Sequence, residues 1–184
     1  MKIERSKFKI TGLSTLLMCN PEHMLTPKSG LKTAKKPTAE EQAETSVYRM
    51  ANKQLYLPTL CFRQSLIYAG GGKKVGKRSA RSVLAATVFP GTDKTGLIDA
   101  KGRPITDYEM DIRGAVNKTA GRIVISRACV HHWNCIAELD IDTDMIEPKL
   151  IADLLNEAGT ISGVGAYRPS CGGWFGRFTA EIVS

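Results

Sequence analysis

From Phe8 the chain alternates apolar and polar residues and then runs continuously apolar to Met18, as a strand entering a core does. A polar stretch follows Asn20-Pro21. PKSGLKTAKKPTAEEQAETS, Pro27 to Ser46, has little to bury and reads as part of a mobile loop over about 21–53, with a helical turn after Pro37. Order returns at Leu55-Tyr56-Leu57. Pro58 then opens a helix whose stripe is Leu60, Cys61, Leu66 and Ile67, with Arg63 and Gln64 on the wet side and Gly70-Gly71-Gly72 at its end. An insertion over about 73–118 contains the apolar stretch Ser82–Ala86 and the string IDAKGRPI, Ile98 to Ile105, which looks like a hairpin tip.

Arg122–Val130 and Trp133–Asp142 read as two strands joined by a turn at His131-His132. The second alternates cleanly: Trp133, Cys135, Ala137, Leu139 and Ile141 share one face, Asn134, Glu138, Asp140 and Asp142 the other. Asp144 and Glu147 form a D-x-x-E cap and Pro148 suits a first helical turn. Leu150, Ile151, Leu154, Leu155 and Ala158 make the stripe, and Gly159 terminates it. The last strand spans Trp174 to Val183, with Trp174, Phe178, Ala180 and Ile182 on one face and Phe175, Arg177 and Thr179 on the other. Without the insertion the order is β-α-β-β-α-β. The expected fold is α+β: a ferredoxin-like antiparallel sheet with two helices on one face, plus an inserted loop and hairpin region, in a single domain over 1–184.

Charge placement sharpens this picture. The net charge is +8, and between Glu44 and Asp93 there is no acidic residue, while Lys73, Lys74, Lys77, Arg78 and Arg81 crowd together. A second acid-free stretch, Ile112 to Ala137, holds Arg113, Lys118, Arg122 and Arg127. Segregated cations favour a polyanionic partner. No apolar run approaches the ~20 residues of a membrane helix, and the amino-terminal apolar stretch lacks a signal peptide's small-residue site, so the expectation is a cytoplasmic protein with no membrane partner. The five scattered cysteines fit reduced thiols.

Several motifs are excluded. CVHHWNC, Cys129 to Cys135, packs its potential ligands too tightly to close a tetrahedron, and no metal or other cofactor is expected. GGKKVGKR resembles a phosphate-binding P-loop, but Arg78 stands where the magnesium hydroxyl belongs and a helix precedes it. Gly163-Val164-Gly165 lacks the third glycine of a dinucleotide fingerprint, where Arg168 stands. No nucleophile signature is present. A metal-free nuclease would need His23, His131 or His132 as its base.

GVGAYRPSCGGWFGRF, Gly163 to Phe178, carries the strongest signal. Its glycines permit positive φ and leave N–H groups open to phosphate; Arg168 and Arg177 add charge, and Tyr167, Trp174 and Phe175 offer stacking faces. The competing reading is a tight crossing between the helix and the last strand. This segment resembles the glycine-rich loop of the RAMP (repeat-associated mysterious protein) superfamily, and LPTLCFRQSL, Leu57 to Leu66, is similar to that superfamily's first-helix opening. In layout the chain resembles the backbone subunits of CRISPR effector complexes, and its L-L-M-x-N-P opening is similar to that of short phage proteins.

The resemblance implies a nucleic-acid contact at Arg63 and phosphate contacts at Gly172, Gly173, Gly176 and Arg177. Thr59, Gln64 and Ile67 depart from the pattern. Cleaving members carry an aspartate between the first strand and first helix, and this chain has none between Cys19 and Tyr56, which weighs for binding over cleavage. The expectation is a non-catalytic binder of single-stranded RNA or DNA that oligomerises along the strand as a filament. Its site is Arg63, Lys73, Lys74, Lys77, Arg78, Arg81, Arg168, Gly172, Gly173, Trp174, Phe175, Gly176 and Arg177. The alternatives are a metal-independent RAMP-type endoribonuclease and a phage protein that joins or caps a filament of CRISPR effector subunits.

Overall fold

In the computed structural model of the chain, residues 1–21, 37–116 and 121–183 are described. Strand β1 (Ile3–Gly12) buries Phe8 and Ile10 and leaves Lys7 and Lys9 on its other face. It begins before the alternation starts and stops at Gly12, where a β-carbon would collide with the Trp133 indole. The apolar run beyond that corner is a separate short strand, β2 (Leu16–Leu17), in a different sheet. One expected strand is therefore two, bent around a buried tryptophan.

Helix α1 (Ala39–Thr45) realises the turn expected after Pro37, with a reciprocal Thr38–Glu41 capping box; positions 22–36 of the expected loop lie outside the described residues. Next come β3 (Tyr56–Pro58) and α2 (Leu60–Ala69). The buried positions of α2 are Phe62, Ser65, Leu66 and Ala69, and Leu60 is 47% exposed. This rotates the expected stripe, because Phe62 meets Phe178 edge-on at 5.6 Å and its ring has more apolar area to hide than Leu60.

The basic run folds as a hairpin, β4 (Lys74–Val75) and β5 (Arg78–Ser79), with Gly76 at φ 59° in its turn, followed by α3 (Ala80–Thr87). Strands β6 (Val88–Pro90) and β7 (Lys94–Ile98) lead to the Asp99–Arg103 turn, the expected hairpin tip, where the Asp99 N–H donates to the Arg103 carbonyl. Then follow β8 (Glu109–Val116), β9 (Arg122–Val130), β10 (Asn134–Asp142), α4 (Pro148–Ile161) and β11 (Phe178–Val183).

The main sheet is antiparallel in the order β11-β1-β10-β7-β3, with β6 also on β10. Reduced to β1, α2, β6 with β7, β10, α4 and β11, this is the ferredoxin-like arrangement, and α2 and α4 share one face of it. The core lies between them: Phe8, Ile10, Cys135, Ala137, Leu139 and Phe178 from the sheet meet Phe62, Leu66, Ile151 and Leu155 from the helices.

Four local expectations need correction. β9 and β10 do not pair: β9 joins β8 and β2 in a three-stranded sheet while β10 enters the main one. Trp133 makes that switch by burying its ring and accepting the Gly12 N–H on its carbonyl at 2.9 Å. No D-x-x-E box caps α4. Glu147 is its N-cap without a side-chain bond, and Asp144 instead binds the N-terminal amine at 2.9 Å. Gly159 lies inside α4, where a β-carbon would collide with the Phe178 carbonyl, so it permits helix and strand to touch instead of ending the helix. Finally, β11 starts only at Phe178. Gly172 and Gly176, at φ 78° and 62°, turn the chain out of extended geometry, so Trp174 is 62% exposed and Phe175 5%, the reverse of the alternation expected.

Candidate nucleic-acid groove

The corner between β1 and β2 is a template for the glycine-rich loop. Trp133 donates through Nε1 to the Ser14 carbonyl at 2.9 Å and fixes the corner. The Ser14 hydroxyl donates to the Trp174 carbonyl at 2.9 Å and accepts the Arg177 N–H at 3.0 Å. Gly176 and Ala166 donate their N–H groups to the Thr15 and Leu17 carbonyls, each at 2.9 Å. Within the loop the N–H groups of Gly172 and Gly173 go to Pro169 and Arg168. The N–H groups of Gly172, Gly173 and Gly176 are thus spent on the protein's own carbonyls. β-Carbons at 173 and 176 would collide with the Tyr167 and Val164 carbonyls, the geometry of a tight crossing.

This clasp forms one wall of a groove. Three adjoining depressions of about 580, 420 and 520 Å³ share lining residues: Tyr48, Cys61, Gly165 and Arg168 between the first two, Tyr167 between the second and third. Along them lie four arginines, Arg81, Arg168, Arg127 and Arg122 in turn. Arg168 is aimed by bonds to the Ser170 hydroxyl at 2.9 Å and the Gly165 carbonyl at 3.0 Å, and Arg127 lies 5.1 Å from the Tyr167 ring centroid. Tyr48 is set in place by donating to the Cys19 carbonyl at 3.0 Å. Beside Tyr167, Trp174 stacks on Phe175 at 5.0 Å, and the Arg113 guanidinium covers both rings at 5.6 and 4.4 Å.

None of these four arginines has an acidic partner among the described residues. Several cations elsewhere are neutralised: Arg5 by Asp140, Lys7 by Glu138, Arg49 by Glu44, Arg103 by Asp99 and Arg113 by Asp111. The open face of the main sheet therefore presents ion pairs, whereas the groove presents bare positive charge. Uncompensated guanidinium groups spaced along a concave track are suited to a chain of phosphates.

The expected site residues divide accordingly. Arg81 and Arg168 line the groove, and Trp174, Phe175 and Arg177 belong to its clasp. Arg63 does not face the groove: Nε donates to the Val88 carbonyl at 2.7 Å and Nη2 to Ala85 at 2.8 Å, closing the C-terminal end of α3. Lys73 pairs with Glu157. Lys74, Lys77 and Arg78 ride on a hairpin whose Val75 shares a depression with Thr143–Glu147 and Leu150, near the start of α4 and apart from the groove. Arg122, Arg127 and Tyr48 were outside the expected set. The acid-free stretch 112–137 was the available signal for the two arginines; nothing local marks Tyr48. R63A is accordingly expected to lower stability by about 1–2 kcal/mol in urea denaturation while leaving oligonucleotide affinity within twofold.

Among the described residues, cysteines but no histidine line this groove. Burial pushes the Cys61 thiol up to about 11 and also raises Cys129, so both are neutral at pH 7. His23 lies outside the described residues. His131 is half exposed, with Nδ1 3.0 Å from the Thr15 hydroxyl and Nε2 3.2 Å from the Glu109 carboxylate, and His132 is exposed in the same turn. Among the described residues no helix is long and apolar enough to cross a membrane.

No family model and no curated protein matches this sequence. Solved structures do. The type III-B Cmr-beta complex bound to cognate target RNA contains a chain that superposes with a TM-score of 0.62 at 14% identity, over 100% of this chain and 61% of that one. Cmr6 from Pyrococcus furiosus superposes with a TM-score of 0.51 at 12% identity, over 98% of this chain and 100% of that one. The fold is RAMP-like, as the two segments in the sequence implied.

Proposed function

We propose that this protein binds single-stranded nucleic acid non-catalytically, laying the strand along the groove from Arg81 to Arg122, and that copies assemble side by side on it as a CRISPR-associated component of the cytoplasm. The observation that carries this reading is the convergence of four arginines without acidic partners on one concave track. The likeness to a chain of an assembly bound to target RNA supports RNA over DNA as the natural strand. Phosphates bind Arg81, Arg168, Arg127 and Arg122, and bases stack on Tyr167 and on the exposed Trp174, at ~1–3 kcal/mol for each engaged ring. Lys74, Lys77 and Arg78 form a second basic surface, suited to a neighbouring subunit's strand or to a more distant phosphate. The whole chain acts as one domain.

The rival reading is metal-free cleavage of RNA. Its one support is His131, held between Thr15 and Glu109, in reach of a strand that passes over Trp174. Labelled RNA incubated with the protein in EDTA separates the two on a single native and denaturing gel pair. The expected outcome is retarded but intact RNA, with complexes that grow stepwise as protein is added. Discrete fragments that vanish in H131A would overturn the binding-only reading, and an absence of retardation would overturn both. A third possibility, that the chain joins CRISPR effector subunits through protein contacts alone, predicts capture of those subunits that survives nuclease treatment.

A further inference from the structure

Two strand edges of this protein are closed by side chains in place of another strand. Asn156 covers β11, accepting the Ala180 N–H and donating to the Ala180 carbonyl, each at 2.7 Å. Past the end of β2, Gln42 and Ser46 of α1 cover β9, accepting the Ser126 N–H at 3.2 Å and the Ala128 N–H at 2.9 Å. β8 is the outermost strand of the second sheet, and nothing among the described residues bonds its outer edge. The N–H groups of Ser126 and Ala128 point away from β8, so the ladder between β8 and β9 runs through the odd-numbered residues, Asp111 and Arg113 among them. The main-chain groups that β8 turns outward are therefore those of Met110, Ile112 and Gly114.

An open edge invites a further strand, and proteins guard such edges with lysine, proline or a bulge. β8, EMDIRGAV, contains neither residue and pairs with β9 in unbroken register from Glu109 to Val116. Its sequence instead fits a second copy of itself. Laid antiparallel about Ile112, the strand sets Ile112 opposite Ile112, Met110 opposite Gly114 and Asp111 opposite Arg113. The first two kinds of pair fall on the outward groups and exchange main-chain hydrogen bonds. The Asp111–Arg113 pairs fall between them, where cross-strand side chains lie closest. Arg113 already bonds Asp111 within its own strand, so the four charges alternate in one cluster. Shifting the register by two residues either way sets Asp111 against Asp111 or Arg113 against Arg113. On the opposite face Met110, Ile112 and Val124 are 41, 53 and 66% exposed. Gly114 has open space where a β-carbon would stand, which leaves room for the partner's Met110 to reach Val124, the β9 neighbour of Gly114.

We propose that two copies of this protein pair through their β8 edges, antiparallel about Ile112, and form a two-fold dimer with one continuous sheet, β2-β9-β8-β8-β9-β2. The contact is isologous, each copy offering the same surface. Main-chain hydrogen bonds hold the strands together, the Asp111–Arg113 pairs fix the register, and Met110, Ile112 and Val124 leave water together. The contact needs no nucleic acid and stands independently of the groove binding proposed above.

The test is sedimentation velocity of nuclease-treated protein over a dilution series. The wild type is expected to reach twice the mass of the chain. I112K puts a lysine at an exposed position of the edge, outside the core, and should leave only monomer. D111R and R113D each set like charges opposite one another across the two-fold axis, and each is expected to dissociate about tenfold more readily. An equimolar mixture of the two sets arginine against aspartate at both positions and should recover the dimer, which a loss of fold in either variant would not allow. A wild type that stays monomeric at every concentration, a dimer retained in I112K, or a mixture no more associated than its components overturns the inference. Anisotropy with a labelled single-stranded oligonucleotide on the same samples reads the groove separately. A monomer that binds the strand removes the dimer and keeps the groove; a dimer that responds to these substitutions but binds no strand does the reverse.

Discussion

R127A/R168A is expected to bind a single-stranded oligonucleotide of about 12 nucleotides, within the ~4–16 typical of single-strand sites, about a hundredfold more weakly than the wild type. Hydrogen bonds to charged groups contribute ~1.5–3 kcal/mol each, and tenfold in affinity is ~1.4 kcal/mol. The lower end of that range applied to both positions gives the expected loss. Neither arginine has an acidic partner among the described residues, so its removal exposes no unpaired carboxylate, and the fold should survive. K74A/K77A/R78A removes three charges, yet is expected to change affinity less than threefold, because those side chains lie on the hairpin outside the groove. Net charge alone predicts the opposite ranking. Fluorescence anisotropy with one labelled strand distinguishes the two.

G176A is expected to destabilise the protein by more than about 3 kcal/mol, enough to unfold a substantial fraction of a marginally stable domain. Two effects combine at this position. The backbone sits at φ 62°, which costs an L-residue ~1–2 kcal/mol, and the added methyl meets the Val164 carbonyl, which accepts no displacement because Val164 donates its own N–H to the Gly176 carbonyl at 2.9 Å. G172A isolates the first effect. Its φ is 78°, but no atom lies within 4 Å of the added carbon, so a loss of only about 1–2 kcal/mol is expected. Urea midpoints of the two variants report the difference. Loss of binding in G176A should track loss of fold, since that glycine's N–H is already held by Thr15.

The sheet and its two helices were legible because hydrophobic periodicity reports burial directly. β10 is the clearest case, with Cys135, Ala137, Leu139 and Ile141 buried as their alternation requires. Where glycine interrupts a pattern, periodicity is blind to the reason. Gly159 and Gly12 look like breaks, yet one admits a strand carbonyl against a helix and the other a tryptophan ring; both facts live in tertiary contacts far along the chain. Trp174 and Phe175 were assigned to the wrong faces because alternation was extended across Gly176, whose positive φ resets the direction of the chain.

For the proposed site, charge in the sequence could not separate free cations from occupied ones. Arg63 looks available on the wet side of its helix and is consumed by two carbonyls at the end of α3. Lys73 is paired to Glu157, a residue distant in sequence. Conversely, Arg122 and Arg127 join Arg168 only because β9 leaves its chain neighbour β10 for the second sheet, a switch with no local signature.

The central claim is that the groove, not the lysine-rich hairpin, carries the phosphates, and the salt dependence of binding tests it most directly. On single strands the log–log slope changes by about 0.7 for each phosphate contact. R81A/R122A/R127A/R168A should flatten the wild-type slope by nearly three units while K74A/K77A/R78A moves it by less than one. A wild-type slope retained by the groove variant and lost by the hairpin variant would contradict the account.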